Sequence, residues 1–155
     1  MKLITFTVPC YNSAAYMDHC IETLLTAGED AEIILVDDGS KDDTGKIADA
    51  YAEKYPTIVR VIHQENGGHG EGVNQGIRNA TGMYFKVVDS DDWLDDDALA
   101  KVMDVLRAQA AGVRVVRSTR CPEGQILPKP GDTFADSRGL SAVKARISLM
   151  LELLA

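Results

Sequence analysis

Apolar residues fall along this chain in two alternating rhythms. Short, nearly unbroken apolar runs at residues 3–8, 32–36, 58–63 and 83–88 read as strands, because a strand covered on both faces shows no polar side. Between them the spacing turns helical. Tyr16, Met17, Cys20, Ile21, Leu24 and Leu25 share one face of a first helix, with Asn12 or Ser13 as its cap and Gly28 suited to its end. Ile47, Ala48, Tyr51 and Ala52 are the buried side of a second helix that starts at Asp42 or Asp43 and ends at Tyr55, where Pro56 stops it. Val73, Ile77 and Ala80 mark a short third helix closed by Gly82. Leu99, Val102, Met103 and Leu106 mark a fourth, and residues 113–116 suggest a fifth strand.

Strands alternating with helices imply an α/β fold whose sheet is largely parallel, with right-handed crossovers. In such sheets ligands collect at the carboxyl ends of the strands, near the place where strand order reverses. Three polar loops follow directly after strands, at residues 9–12, 37–40 and 89–92, and are therefore expected on one rim. After Arg117 the pattern weakens. Pro122, Gly124, Pro128, Pro130 and Gly131 make residues 118–140 irregular. Val143, Ile147, Met150, Leu151 and Leu154 then restore a helix, expected to pack on apolar surface because Lys144 and Arg146 are its only cations. The expected division is a core over residues 1–117 and an irregular segment plus helix over residues 118–155.

Composition narrows the choice. A chain of 155 residues, 45% hydrophobic, suits one packed domain. A formal charge of -8 argues against a non-specific nucleic-acid binder, which needs basic surface. It leaves room for a phosphate ligand if a divalent cation inverts the local sign. No apolar run reaches membrane-spanning length. The apolar start after Met1-Lys2 is short and Pro9 ends it, so it reads as a strand rather than a signal peptide. Cys10, Cys20 and Cys121 form neither a disulfide framework nor a zinc spacing, and are expected to be reduced thiols of a cytoplasmic protein.

The strongest chemical feature is Val87-Val88-Asp89-Ser90-Asp91-Asp92-Trp93. If the strand continues through them, Asp89 and Asp91 aim the same way. Six aspartates between residues 89 and 97 repel one another unless solvent or a cation separates them. Asp95, Asp96 and Asp97 are explained by the start of the fourth helix. Asp89 and Asp91 have no such cap to explain them, and suit Mn²⁺ or Mg²⁺ held together with a diphosphate. An EF-hand is excluded, since Trp93 and Leu94 stand where a further ligand and a glycine are needed. Asp38, in Asp37-Asp38-Gly39-Ser40, can accept a hydrogen bond from a base N–H or a ribose hydroxyl, or belong only to a turn in which Ser40 and Asp42 cap the helix. The loop of residues 66–72 carries four glycines, which let backbone amides approach phosphate. It is not a Walker loop, and His69 within it reads as a solvated loop residue before a ligand or base.

Taken together these segments resemble the family 2 glycosyltransferases of the GT-A fold. The resemblance rests on Val8-Pro9-Cys10-Tyr11-Asn12, on Ile34-Leu35-Val36-Asp37-Asp38-Gly39-Ser40 with Asp43-Thr44, on Asn66-Gly67-Gly68 through Asn74-Gln75-Gly76 to Ala80-Thr81-Gly82, and on Val88-Asp89-Ser90-Asp91-Asp92-Trp93-Leu94. It covers residues 1–117 and implies a GT-A (Rossmann-like) α/β/α sandwich with a mostly parallel central sheet, here lacking the full acceptor half because the chain stops inside a helix. It implies inverting transfer of a sugar from a nucleotide-diphosphate sugar, expected to be UDP-linked, to an acceptor hydroxyl of a glycan or lipid-linked acceptor in cell-surface polysaccharide synthesis. Carried over by position, Pro9, Tyr11 and Asp38 line the base pocket, Asp89 and Ser90 lie by the ribose and diphosphate, Asp91 with Asp89 holds the metal, and Gly68 passes close to the nucleotide. A cytoplasmic protein that can associate with the inner face of the membrane is expected.

An inverting displacement needs a base for the acceptor proton. None is identified; Asp132 and Asp136 lie downstream but match no motif. The alternative is therefore a non-catalytic nucleotide-sugar-binding or assembly module. A phosphatase would want its nucleophilic Asp after the first strand, where Pro9-Cys10 stands, and a sugar nucleotidyltransferase would want a Gly- and Arg-rich loop there.

Overall fold

In the computed structural model of the chain, β1 (Ile4–Cys10) and β2 (Ala31–Asp37) are buried at every position. Such strands must lie inside a sheet with both faces covered. The structure describes residues 1–113 and, beyond them, the backbone of two short strands at 116–117 and 135–136. β3 (Val59–His63) pairs with β2, and β4 (Tyr84–Val87) pairs with the other side of β1. The order is β3-β2-β1-β4 and every pairing is parallel. The sheet grows in one direction from β1 to β3 and then returns across β1 to add β4. Strand order therefore reverses beside β1, and a crevice is expected at its carboxyl end.

The helices follow from that order. α1 (Met17–Leu25) and α2 (Thr44–Lys54) serve crossovers in one direction, and α3 (His69–Asn79) serves the return, so right-handed connections put α3 on the opposite face. Residue parity agrees: Thr7 and Pro9 of β1 lie under α3. α4 (Asp96–Ala110) buries Leu99, Met103 and Leu106, while Val102 is exposed.

β1 runs two residues further than the apolar pattern suggests and contains Pro9. The missing N–H does no harm. Thr7 turns its carbonyl to β4, accepting from Val88, so Pro9 faces the same side just after β4 has ended.

Other expectations shift as well. α1 starts at Met17, and neither Asn12 nor Ser13 caps it through a side chain; Tyr16 precedes it, exposed, and Gly28 lies beyond its end in a short 3₁₀ turn (Gly28–Asp30). α3 starts at His69, so Gly70 and Gly72 belong to its first turn and not to a loop. Its buried residues are Gly72 and Gly76, whereas Ile77 is exposed. Close seating on β1 replaces apolar packing there. A Cβ on Gly76 would overlap the Thr7 side chain, and one on Gly72 would stand 3.1 Å from Pro9 Cβ.

The chain divides into two compact units, Met1–Arg107 and Ala108–Ala155. The parallel sheet belongs to the first. In the second, β5 (Val116–Arg117) pairs with β6 (Ala135–Asp136) in a separate two-stranded sheet, so the suggested fifth strand overlaps the described one at Val116. The expected C-terminal helix and the side chains of Cys121, Asp132 and Asp136 lie outside the described residues. No described helix is long and apolar enough to cross a membrane.

A charged brace closes the edge of the sheet. His63, at the end of β3, places Nδ1 3.0 Å from Asp37 Oδ2 and Nε2 3.0 Å from Asp49 Oδ1 of α2. A neutral imidazole donates from one nitrogen only, so the double contact selects the imidazolium. The hydrogen bond to Asp49, followed by that to Asp37, raises the His63 pKa. Burial would raise Asp37, but hydrogen bonds from Ser40 and His63 outweigh it and hold this carboxyl below the usual range.

Two stability measurements test this packing. Gly76→Ala should lower unfolding stability by about 1–3 kcal/mol through overpacking, although Ala is the better helix former, as read from the urea midpoint. For His63 the folded pKa lies above the unfolded one, so its contribution is complete below about pH 6.5 and is lost as pH rises through the raised value. The urea midpoint should therefore fall as pH rises above about 6.5 through the raised His63 pKa, and His63→Gln should flatten that slope; a slope unchanged in the variant would contradict the brace.

Candidate functional site

Three strand ends and the start of α3 build one cleft of about 420 Å³. β1 delivers Pro9, Cys10 and Tyr11, β2 delivers Asp38, and the loop after β4 delivers Asp89, Ser90 and Asp91. The opposite side comes from Asn66, Gly68, His69 and Gly72. All seven residues expected at a nucleotide and metal site (Pro9, Tyr11, Asp38, Gly68, Asp89, Ser90 and Asp91) are thus brought together. The seating of Gly72 and Gly76 on β1 is what brings the amino end of α3 over the strand ends.

Asp38 is 3% exposed and holds the far wall. Its Oδ1 accepts from Gln64 Nε2 at 2.6 Å and from the Gly67 amide at 2.7 Å; its Oδ2 accepts from the Gly68 amide at 2.8 Å. Burial acts to raise its pKa, and these three donors outweigh it, keeping the carboxyl below its ordinary value. A carboxylate has about four acceptor sites. Three are used, so one on Oδ2 remains for a ligand donor. Gly68 follows with φ +85°, where a side chain is strained, and α3 begins at the next residue. The amides of Glu71 and Gly72 bond back to the Gly68 carbonyl. Those of His69 and Gly70 are left free, as the first donors of a helix are.

The acidic loop is a turn, not a continued strand. β4 ends at Val87, and the Asp92 amide donates to the Asp89 carbonyl at 2.9 Å. Strand alternation is therefore not the reason that Asp89 and Asp91 share the cleft. The turn exposes both carboxylates and buries Ser90 between them, 8% exposed. His69 is the first residue of α3 and not a loop residue; its Nε2 lies 3.7 Å from Asp89 Oδ1 across the cleft. Among the described residues no three His, Cys, Asp or Glu side chains converge as a complete metal cage. Two exposed carboxylates fit another arrangement, a hard cation completed by substrate oxygens.

Cys10 lines the cleft but is no nucleophile. Burial pushes its thiol, and that of Cys20, up to about 12, so both stay protonated; both are free thiols. Residue reading missed Gln64, which steadies Asp38, and gave Ser13 only a capping role. Ser13 instead pairs its hydroxyl with Ser90 at 2.8 Å. No local pattern announces either contact, because their partners lie 26 and 77 residues away.

Comparison with known proteins agrees with this geometry. The family model described as glycosyl transferase family 2 matches residues 5–145. Glycosyltransferase GlyG of Streptococcus pneumoniae serotype 4 is 40% identical over 114 residues, which are 72% of this chain and 38% of that protein. The uncharacterized glycosyltransferase EpsJ of Bacillus subtilis is 45% identical over 143 residues, 84% of this chain and 41% of that one. The chain therefore spans about two fifths of the length of these relatives. Among solved structures, S. aureus TarS 1-349 in complex with UDP is similar at a TM-score of 0.58 and 26% identity, over 83% of this chain and 38% of that one. The mannosyltransferase PcManGT from Pyrobaculum calidifontis, in complex with GDP-Man and Mn2+, gives 0.58 and 26%, over 77% of this chain and 36% of that one. The parallel sheet between helical layers is of the GT-A type, and the chain belongs to glycosyl transferase family 2.

Proposed function

We propose that this chain is the donor-binding part of an inverting glycosyltransferase. It takes a sugar from a nucleotide-diphosphate sugar, UDP-linked, and passes it to an acceptor hydroxyl of a glycan or lipid-linked acceptor in cell-surface polysaccharide synthesis. The observation that carries this reading is the single cleft with Asp38 in one wall and Asp89 and Asp91 in another. Its volume of about 420 Å³ suits a ligand of nucleotide size. The TarS complexes with UDP and with UDP-GlcNAc support a UDP donor, and the Mn2+ of the PcManGT complex supports a divalent cation.

Each wall has a task in this reading. Pro9 and Tyr11 flank the base, and the free acceptor site of Asp38 takes a base N–H. Asp89 and Ser90 lie by the ribose and diphosphate. Gly68 and the free amides at the start of α3 approach phosphate oxygens, where the helix dipole favours negative charge. Asp91, with Asp89, would hold Mn²⁺ or Mg²⁺. When bound, that cation offsets the negative charge that builds on the diphosphate as the sugar leaves. Asp38, Asp89 and Asp91 are all engaged in holding the donor, so none is free to take the acceptor proton. No catalytic base is identified among the described residues, which supports a second reading, a nucleotide-sugar-binding module without turnover.

Ligand-dependent melting tests the binding. UDP with Mn²⁺ at a hundredfold excess over Kd stabilises the folded state by about 2.7 kcal/mol, which is a rise of about 5–15 °C for a domain of this size. Asp91→Ala should remove the part of the rise that needs the metal. Equal responses from parent and variant would refute the metal assignment. Incubation with radiolabelled sugar nucleotides separates the two readings, since the module binds the donor without transfer or donor hydrolysis.

A further inference from the structure

Ser13 ties together all three rim loops. It is 1% exposed, and each of its polar atoms is engaged. Its amide donates to Thr44 Oγ1 at 2.7 Å, and that hydroxyl donates to Asp42 Oδ1 at 2.6 Å, which secures the segment after β2. Its carbonyl accepts from the amides of Tyr16 at 3.1 Å and Met17 at 3.0 Å, which sets the start of α1. Its hydroxyl accepts from the Tyr11 amide at 3.2 Å and pairs with Ser90 Oγ at 2.8 Å, in the loop after β4.

Distance alone allows either hydroxyl of that pair to donate. Proton accounting decides between them. If Ser90 donated, the Ser13 proton would have no acceptor in a site closed to water, at a cost of about 1–3 kcal/mol. If Ser13 donates, its proton is used and that of Ser90 stays available. Ser90 is the member of the pair that lines the cleft. Other contacts hold this loop by its backbone: Cys20 Sγ lies 3.6 Å from the Asp89 carbonyl, and the Leu94 amide donates to Thr23 Oγ1 at 3.3 Å. Among the described residues, only the Ser13 contact acts on the Ser90 side chain.

We propose that Ser13 is a positioning residue for donor binding: it donates to Ser90 and so directs the Ser90 proton into the cleft, onto an oxygen of the nucleotide diphosphate. This rests on the donor-binding reading and adds a residue that touches no substrate itself.

Calorimetry with UDP plus Mn²⁺ and with uridine tests the assignment on the parent, Ser13→Ala, Ser90→Ala and the double variant. Each single change should weaken UDP binding about tenfold, the equivalent of one hydrogen bond to a charged group, with a clearly smaller loss for uridine. The double variant should lose no more than either single one, because both act through one bond. Losses that add, equal losses for uridine and UDP, or no loss in Ser13→Ala would each overturn the proposal. If Ser13→Ala does not fold, Ser13→Cys keeps a small side chain with a weaker donor. It should bind UDP more weakly than the parent, with a clearly smaller loss for uridine; parent-like UDP binding would count against the pair. A parent chain that binds neither uridine nor UDP overturns the donor-binding reading itself, and this proposal with it.

Discussion

The contact of α3 with β1 is the constraint on which the rest of the molecule depends. Two glycines one helical turn apart, Gly72 and Gly76, lie on Pro9 and Thr7, and Gly76 leaves no space for any side chain. A helix with ordinary apolar residues there would stand further from the sheet. The close approach brings the amino end of α3 to the carboxyl ends of β1 and β2, and so makes a cleft from two faces of a sandwich. It also explains why α3 has no large apolar residue on its buried face: Gly72 and Gly76 lie there, and Ile77 is left exposed.

Polar residues, not apolar ones, then hold the rim. Asp38 grips the segment before α3 with three hydrogen bonds, and Ser13 joins the segments after β1, β2 and β4. Buried polar groups of this kind are worth keeping only when their partners are supplied, because an unpaired one is costly in a low dielectric. Here nearly every atom is paired, so the loops are set before a ligand arrives. Preorganisation of this sort reduces the ordering cost of binding.

Charge is arranged with the same economy. The chain carries a formal charge of -8, and its cleft holds Asp38, Asp89 and Asp91. Such a cleft would repel a diphosphate unless something positive accompanies it. The start of α3 supplies part of that charge, through the dipole of its first turn. A divalent cation between carboxylates and phosphate would supply the rest in the donor-binding reading. The acidity of the chain and an anionic ligand are thus compatible, and the compatibility depends on where the acids lie rather than on how many there are.

Much of this was legible in the residues. The apolar runs gave four parallel strands in the right places, since a doubly covered strand has a signature that needs no partner to be seen. The three strand-end loops were expected on one rim, because in a parallel sheet such loops emerge at the same edge, and the seven residues named at the site, several of them through the family resemblance alone, line the cleft there. The boundaries and burial of α3 were not legible, since periodicity counts side chains and glycine has none. Nor was the turn that shapes the acidic loop, where β4 ends earlier than its apolar run. Local sequence determined the elements and the edge they share, through patterns that act within a few residues. Only the tertiary structure decided how close α3 sits and which hydroxyl Ser90 meets, because those depend on atoms from segments far apart in the chain.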